Sequence, residues 1–320
     1  MPRVLIIKLG ALGDAIISTA IIKQILEFHH EDDIYILTTP AYKDLFSTFD
    51  NLKVAAFERK GFLNTIKTIH WIRTQRFDRI YDLQSNDRST IFCALSGAPF
   101  RAGNHPRYPY NVHPEKTYIG ECHSFDRLNQ IIECANIKPA KPLPFLPVPN
   151  NIVTEVSEWL TEHSLSENSF AILHAGSSPL HLNKRWPYFA ELASTLSKTL
   201  DIVWIGGNDD IELNNLLSKN IGINATNVFN VLGLVELAKK AKFAVTNDSA
   251  PMHIFSCSMI PVYGLFGPTN WRRSHALGQQ HRVITPAADI ISQGNAFTPR
   301  PLDTLSIDNV LERLRNDGLI

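Results

Sequence analysis

Apolar residues fall in short runs along this chain, and most runs end in small or polar residues. Val4-Leu5-Ile6-Ile7 leads into Gly10-Ala11-Leu12-Gly13-Asp14, and an amphipathic segment from Ala15 to Phe28 follows. A continuous apolar run, a glycine turn and a helical period predict strand, tight loop and helix. Arg3–Lys8, Ile34–Leu37, Val54–Phe57 and Ile80–Asp82 read as strands, with helical stretches at Phe62–Thr74 and Ser89–Leu95. Lys138–Pro149 carries five prolines (Pro139, Pro142, Pro144, Pro147 and Pro149). A segment so short of backbone donors reads as a linker rather than a central helix or strand.

The alternation resumes beyond the linker. Helices are predicted at Val153–His163, Tyr188–Leu200 and Ser306–Asn316. Strands are predicted at Phe170–His174, Ile202–Ile205, Phe243–Thr246 and Val262–Phe266. Strands that alternate with helices give parallel sheets covered on both faces. The expectation is α/β, with two domains over 1–140 and 150–304, a closing helix in 305–320, and a ligand cleft at the strand carboxyl ends.

Composition narrows the chemistry. The chain has 320 residues, 44% hydrophobic, enough for two cores. Lys plus Arg balances Asp plus Glu at 31 each, which speaks against a nucleic-acid partner. Four cysteines stand apart without a CxxC pair, so neither a disulfide framework nor a zinc knuckle is expected. The histidines show no HExxH spacing, and no metal site is expected. No apolar run reaches the roughly 18 residues of a membrane span. The expected location is cytoplasmic, with peripheral contact at the inner face of the membrane left open.

Polar residues gather just past the strand ends. Asp14 at the mouth of the first helix reads either as a helix cap or as a base. His174-Ala175-Gly176-Ser177-Ser178, with Lys184 soon after, offers backbone and hydroxyl donors and a point charge for phosphate; a solvated loop is the other reading. In Asn247-Asp248-Ser249-Ala250-Pro251-Met252-His253, Pro251 suits a first helical turn. There Asp248 or Ser249 caps the helix, or the turn receives a diphosphate. Arg59, Lys60, Arg101, His105, Arg107 and His113 form either a basic rim or ordinary solvated loops.

Taken together and in this order, these motifs resemble glycosyltransferase family 9, the family of the lipopolysaccharide heptosyltransferases. The carriers are Lys8-Leu9-Gly10-Ala11-Leu12-Gly13-Asp14, His174-Ala175-Gly176-Ser177-Ser178, Lys184-x-Trp186-Pro187, Asn247 to His253, and Gly264-x-Phe266-Gly267-Pro268-Thr269. The resemblance implies a GT-B architecture, two Rossmann-like domains whose parallel sheets face a central cleft. It implies inverting, metal-independent transfer from ADP-heptose, with the nucleotide sugar as substrate and no cofactor. Asp14 would be the base and Lys184 would hold the diphosphate. Ser177, Ser178, Asn230, Asp248, Ser249, Ala250, His253 and Thr269 would line the donor site. Asn230 departs from the acidic residue that some members place at the donor ribose. Gly13, Arg59, Lys60, Arg101 and Arg107 would meet a lipid-linked oligosaccharide acceptor. The competing readings are another nucleotide-sugar enzyme such as an epimerase, a non-catalytic sugar-nucleotide-binding protein, and a nicotinamide oxidoreductase. The last is disfavoured because Gly10-x-x-Gly13 lacks the full GxGxxG and Leu37-Thr38-Thr39 carries no acidic residue.

Overall fold

The computed structural model describes residues 1–116, 122–286 and 297–320, and the chain divides into two compact units, Met1–Pro147 and Val148–Ile320. The division falls inside the proline-rich stretch.

The first unit runs β1 (Arg3–Ile7), α1 (Leu12–Phe28), β2 (Asp33–Thr38), α2 (Lys43–Phe46), β3 (Leu52–Ala56), α3 (Phe62–Gln75), β4 (Arg79–Asp82), α4 (Asp87–Leu95), β5 (Phe100–Ala102) and α5 (Ser124–Cys134). Its sheet is parallel in the order β3-β2-β1-β4-β5. Val4, Leu5, Ile6 and Ile7 are fully buried, as expected of a central parallel strand covered on both faces. The order reverses between β1 and β4, and the loops leaving those two strands diverge there to open a crevice. Helix α1 packs on α5 and buries Ala15, Ile16, Ile17, Ile21, Ile22 and Ile25. β5 and α5 escaped the sequence reading. β5 is three residues long, whereas α5 carries a readable helical period in Phe125, Leu128, Ile131 and Ile132.

The second unit contains α6 (Asn150–Glu162), β6 (Phe170–His174), α7 (Phe189–Leu196), β7 (Asp201–Trp204), α8 (Ile211–Ser218), β8 (Ile223–Asn224), α9 (Val231–Lys240), β9 (Phe243–Asn247), α10 (Ala250–Ser256), β10 (Val262–Leu265), α11 (Trp271–Ser274), β11 (Val283–Ile284) and α12 (Ile307–Asn316). The sheet order is β11-β10-β9-β6-β7-β8, again doubly wound, with its switch between β6 and β9. α7 stops at Leu196, four residues before the predicted end. α12 is capped by Ser306 and buries Val310, Leu311 and Leu314 against the core of this unit.

Candidate active site

In the second unit the candidate residues converge on the carboxyl edge of the sheet. Lys184 ends a 3-10 stretch, Pro179–Lys184, that follows the β6 loop. Its Nζ donates to Asp248 Oδ2 at 2.6 Å, and Thr269 Oγ1 donates to the same oxygen at 2.7 Å. Three of the predicted donor residues thus meet, from segments that follow β6, β9 and β10. The lysine side chain is 19% exposed and the aspartate 9%, so the pair lies at the rim, reachable from solvent.

Neighbouring side chains hold this rim in place. Asn247 Nδ2 donates to the carbonyls of Ala175 and Gly176 at 2.9 and 3.0 Å, and its Oδ1 accepts from the Trp186 backbone N–H at 3.1 Å. Buried Trp186 in turn donates Nε1–H to Leu305 O at 2.8 Å. Lys184 is therefore positioned by an anchor two residues away. Behind the Gly176 loop, His174 Nε2 lies 3.6 Å and Arg185 Nη2 3.4 Å from the Asp210 carboxylate. Burial pushes the Asp210 carboxyl up, but His174, the Gly207 N–H and Arg185 outweigh it and hold the group below its ordinary value. A Cβ on Gly176 would overlap that carboxylate, so only glycine fits there. His174, Arg185, Asn247 and Asp210 had no functional role in the sequence reading. Their partners are remote in sequence; the signal for His174 and Asn247 was their place in motifs at strand ends, and Arg185 and Asp210 had none.

The helix-cap readings of Asp248 and Ser249 are corrected, and Ser177, Ser178 and Asn230 have partners of their own. Asp248 does not cap α10, because its carboxylate is engaged by Lys184 and Thr269. Ser249 is the N-cap residue, yet its side chain makes no capping bond. Its Oγ instead lies 3.1 Å from His174 Nδ1. Ser177 is buried and spends its hydroxyl on His181 O, while exposed Ser178 accepts from the Leu180 N–H. Asn230 caps α9 through Oδ1 to the Gly233 N–H at 2.9 Å. Ala250 and His253 lie in α10, where His253 is buried.

In the first unit the crevice between β1 and β4 holds a polar cavity of about 180 Å3. Its lining includes Lys8, Asp14, Gln84, Ser85, Asn104, Ser124 and Arg127. Asp14 is exposed in the first turn of α1 but does not cap it: the N-cap is Ala11, and no side chain caps that end. Gly10 has φ +121°, and a Cβ there would come within 2.5 Å of Tyr42 Cε2, so the turn that presents Asp14 needs glycine. Lys8 is buried and donates Nζ–H to Leu83 O at 3.1 Å. Burial lowers its pKa, and the charges of Asp14 and Asp82 pull it back up. Asp82 is wholly buried and accepts from the N–H groups of Gln84 and Ser85 at 3.0 and 2.9 Å, which fixes the turn lining the cavity. Burial raises the pKa of Asp82 despite these bonds and the one from Tyr110. Asn104 Oδ1 and Ser124 Oγ are buried with no protein hydrogen-bond partner. Unmet buried polar atoms in a cavity are what a hydroxyl-rich ligand would satisfy.

The basic rim is only partly available. Arg101 directs Nε to Pro109 O at 2.6 Å and Nη1 to Ala98 O, so its guanidinium ties its own loop together. Arg59, Lys60 and Arg107 are exposed; Gly13 lies within α1, His105 packs edge-on to Tyr110, and His113 Nδ1 contacts Pro114 O. Among the described residues no group of three or more His, Cys, Asp or Glu side chains is placed to hold a metal ion.

Residues 150–291 match the family model for glycosyltransferase family 9 (heptosyltransferase). The chain is 26% identical over 232 residues to lipopolysaccharide heptosyltransferase 2 of Escherichia coli, covering 67% of each. It is 32% identical over 120 residues to lipooligosaccharide heptosyltransferase 2 of Campylobacter jejuni, where the match spans 32% of this chain and only 38% of that relative. A family 9 glycosyl transferase of Veillonella parvula superposes with a TM-score of 0.81 at 19% identity, covering 98% of this chain and 96% of that one. ADP-heptose lps heptosyltransferase II of E. coli does so at 0.76 and 21% identity, covering 99% and 98%. These structural likenesses span both units and show the fold to be of the GT-B type.

Proposed function

From the match of residues 150–291 to the model of glycosyltransferase family 9 and the likeness to lipopolysaccharide heptosyltransferase 2, we propose that the chain belongs to that family and transfers a heptose from ADP-heptose to a core sugar of a lipopolysaccharide acceptor. The observation that carries this reading is the meeting of Lys184, Asp248 and Thr269 at the carboxyl edge of the second sheet. A parallel doubly wound sheet binds nucleotides at that edge, and a rim lysine is a point charge for a diphosphate.

The proposed reaction inverts the anomeric centre. Asp14 takes the proton of the acceptor hydroxyl as that oxygen attacks the anomeric carbon. The bond from that carbon to the diphosphate oxygen breaks, and its electron pair leaves with ADP. Lys184 meets the negative charge that develops there, so the step needs neither a metal nor a cofactor. Asp248 and Thr269 set the position of Lys184, while Ser178, Ser249, Ala250, His253 and Asn230 line the donor site. Asn104, Ser124 and Arg127 bind acceptor hydroxyls and anionic groups in the cavity beside Asp14, with Arg59, Lys60 and Arg107 outside it. The proposed location is the cytoplasmic face of the membrane that carries the acceptor.

The test is release of ADP from ADP-heptose with and without a truncated lipopolysaccharide acceptor. Acceptor-dependent release that collapses in Asp14→Ala, with ADP binding intact, supports the proposal. Undiminished turnover in Asp14→Ala, or no release from the native chain, overturns it.

A further inference from the structure

Helix α3 carries an exposed apolar tip. Phe62, Leu63 and Ile66 are 78%, 70% and 46% exposed, and all three lie in its first two turns. The opposite side of the helix does the packing: Thr68 and Ile72 are buried, and Ile69 and Trp71 pack on the core. The exposed trio is therefore not needed to hold the helix down. Gly61, at φ +96°, turns the chain so that Phe62 and Leu63 lead.

Positive charge is concentrated on this helix and the residues that flank it. Between Glu58 and Arg76 stand five cations (Arg59, Lys60, Lys67, Arg73 and Arg76) against one carboxylate, in a chain whose total charge is balanced. Arg59 and Lys60 stand just before the apolar tip and Lys67 follows Ile66 directly, and all three are exposed. Among the described residues no helix is long and apolar enough to cross a membrane. A helix whose exposed apolar tip is flanked by Arg59, Lys60 and Lys67 suits an interface where acyl chains lie beneath anionic headgroups.

We propose that the first two turns of α3 dock this protein on an anionic lipid bilayer, with Phe62, Leu63 and Ile66 entering the headgroup region and Lys67 and its basic neighbours facing lipid phosphates. A second copy of this chain would bring like charges together at the same tip, and a basic partner protein would be repelled. The charge complementarity selects an acidic lipid surface.

The test is co-sedimentation of the full chain with vesicles of pure phosphatidylcholine, and with vesicles in which about a third of the lipid is phosphatidylglycerol. The native chain is expected to partition onto the anionic vesicles and to be released by salt. A Phe62→Ser/Leu63→Ser/Ile66→Ser variant is expected to lose roughly tenfold or more in partitioning while its melting temperature is kept. The single variant Lys67→Glu, which leaves the apolar tip whole, is expected to weaken binding to anionic vesicles and leave that to neutral ones unchanged. Native-like partitioning of both variants overturns the proposal, as does equal binding of the native chain to both vesicle types. A native dimer that the triple variant converts to monomer, with no change in vesicle binding, assigns the tip to self-association and also overturns it. Vesicle binding is read without turnover, so failure here is separable from failure of the proposed transfer. Turnover on a soluble, delipidated acceptor is expected to be unchanged in both variants.

Discussion

Lys184 and Asp248, 64 residues apart, meet at 2.6 Å at the rim of the second sheet, and the aspartate oxygen that accepts the lysine also accepts the hydroxyl of Thr269. A single partly exposed pair of this kind adds little stability, about 0–1 kcal/mol. Its value lies in aim. The aspartate fixes the lysine without fully burying it, leaving donors free to meet a ligand anion.

Lys184→Ala is expected to lower kcat/KM by about 100- to 1000-fold, the scale of removing one preorganised charge stabiliser. ADP affinity, read by calorimetry, should fall in parallel. Asp248→Asn keeps a hydrogen-bond acceptor but loses the charge, and should cost less than removing the lysine.

Asp14→Ala should lower kcat by about 100- to 10000-fold, the range of a lost general base. Because Ala11 and not Asp14 is the cap of α1, the melting temperature should barely move. Losing one exposed carboxylate from a first helical turn costs about 0.3–1 kcal/mol at most. A large drop in melting temperature would point instead to a structural role.

Gly176→Ala should destabilise the second unit and weaken donor binding together. The new methyl group would collide with the Asp210 carboxylate, which His174 and Arg185 hold in place. Gly207→Ala is the control, since a Cβ there meets nothing within 4 Å. Thermal melts and ADP titrations of both variants check this.

Arg101→Ala and Arg127→Ala should separate two kinds of arginine. Arg101 spends its guanidinium on the carbonyls of Pro109 and Ala98, so its loss should lower the melting temperature and leave the acceptor KM nearly unchanged. Arg127 lines the cavity beside Asp14, so its loss should raise the acceptor KM with little change in stability. Steady-state kinetics at saturating donor, with a melt of each variant, distinguishes them.

His29 supplies a pH signature. It is buried, with Nδ1 2.7 Å from Asp32 Oδ2 and Nε2 2.9 Å from the Tyr81 hydroxyl. Burial lowers its pKa below 6.5, although Asp32 pulls the other way. Between the folded value and 6.5 the unfolded chain binds more protons, so stability rises with pH. This contribution is complete above 6.5 and is lost as the pH falls through the folded value. The urea midpoint should drop from about pH 7 to about pH 5, and His29→Gln should flatten that part of the profile.

Much of the architecture was legible along the chain. The apolar runs at Val4–Ile7 and Phe170–His174 are buried on both sides, so their composition announces parallel strands without reference to anything distant. Gly10 and Pro251 mark turn and helix start through local backbone limits, and both lie where those limits require. A strand of three residues such as β5 leaves too little period to read, whereas α5 shows its period in Phe125, Leu128, Ile131 and Ile132 and was open to the same reading as the other helices.

What the sequence determined by itself is therefore the local part: the alternating elements, the turns at their ends, and which residue types stand past each strand. Only the tertiary structure decided what those residues do. It turned Asp248 and Ser249 from candidate helix caps into partners of Lys184 and His174, and set Asn104 and Ser124 beside Asp14 with polar atoms unmet. The physical reason is range. Backbone preference and hydrophobic period act over a few residues, whereas a hydrogen bond or ion pair depends on which side chains the sheet order brings together from 64 or 75 positions away.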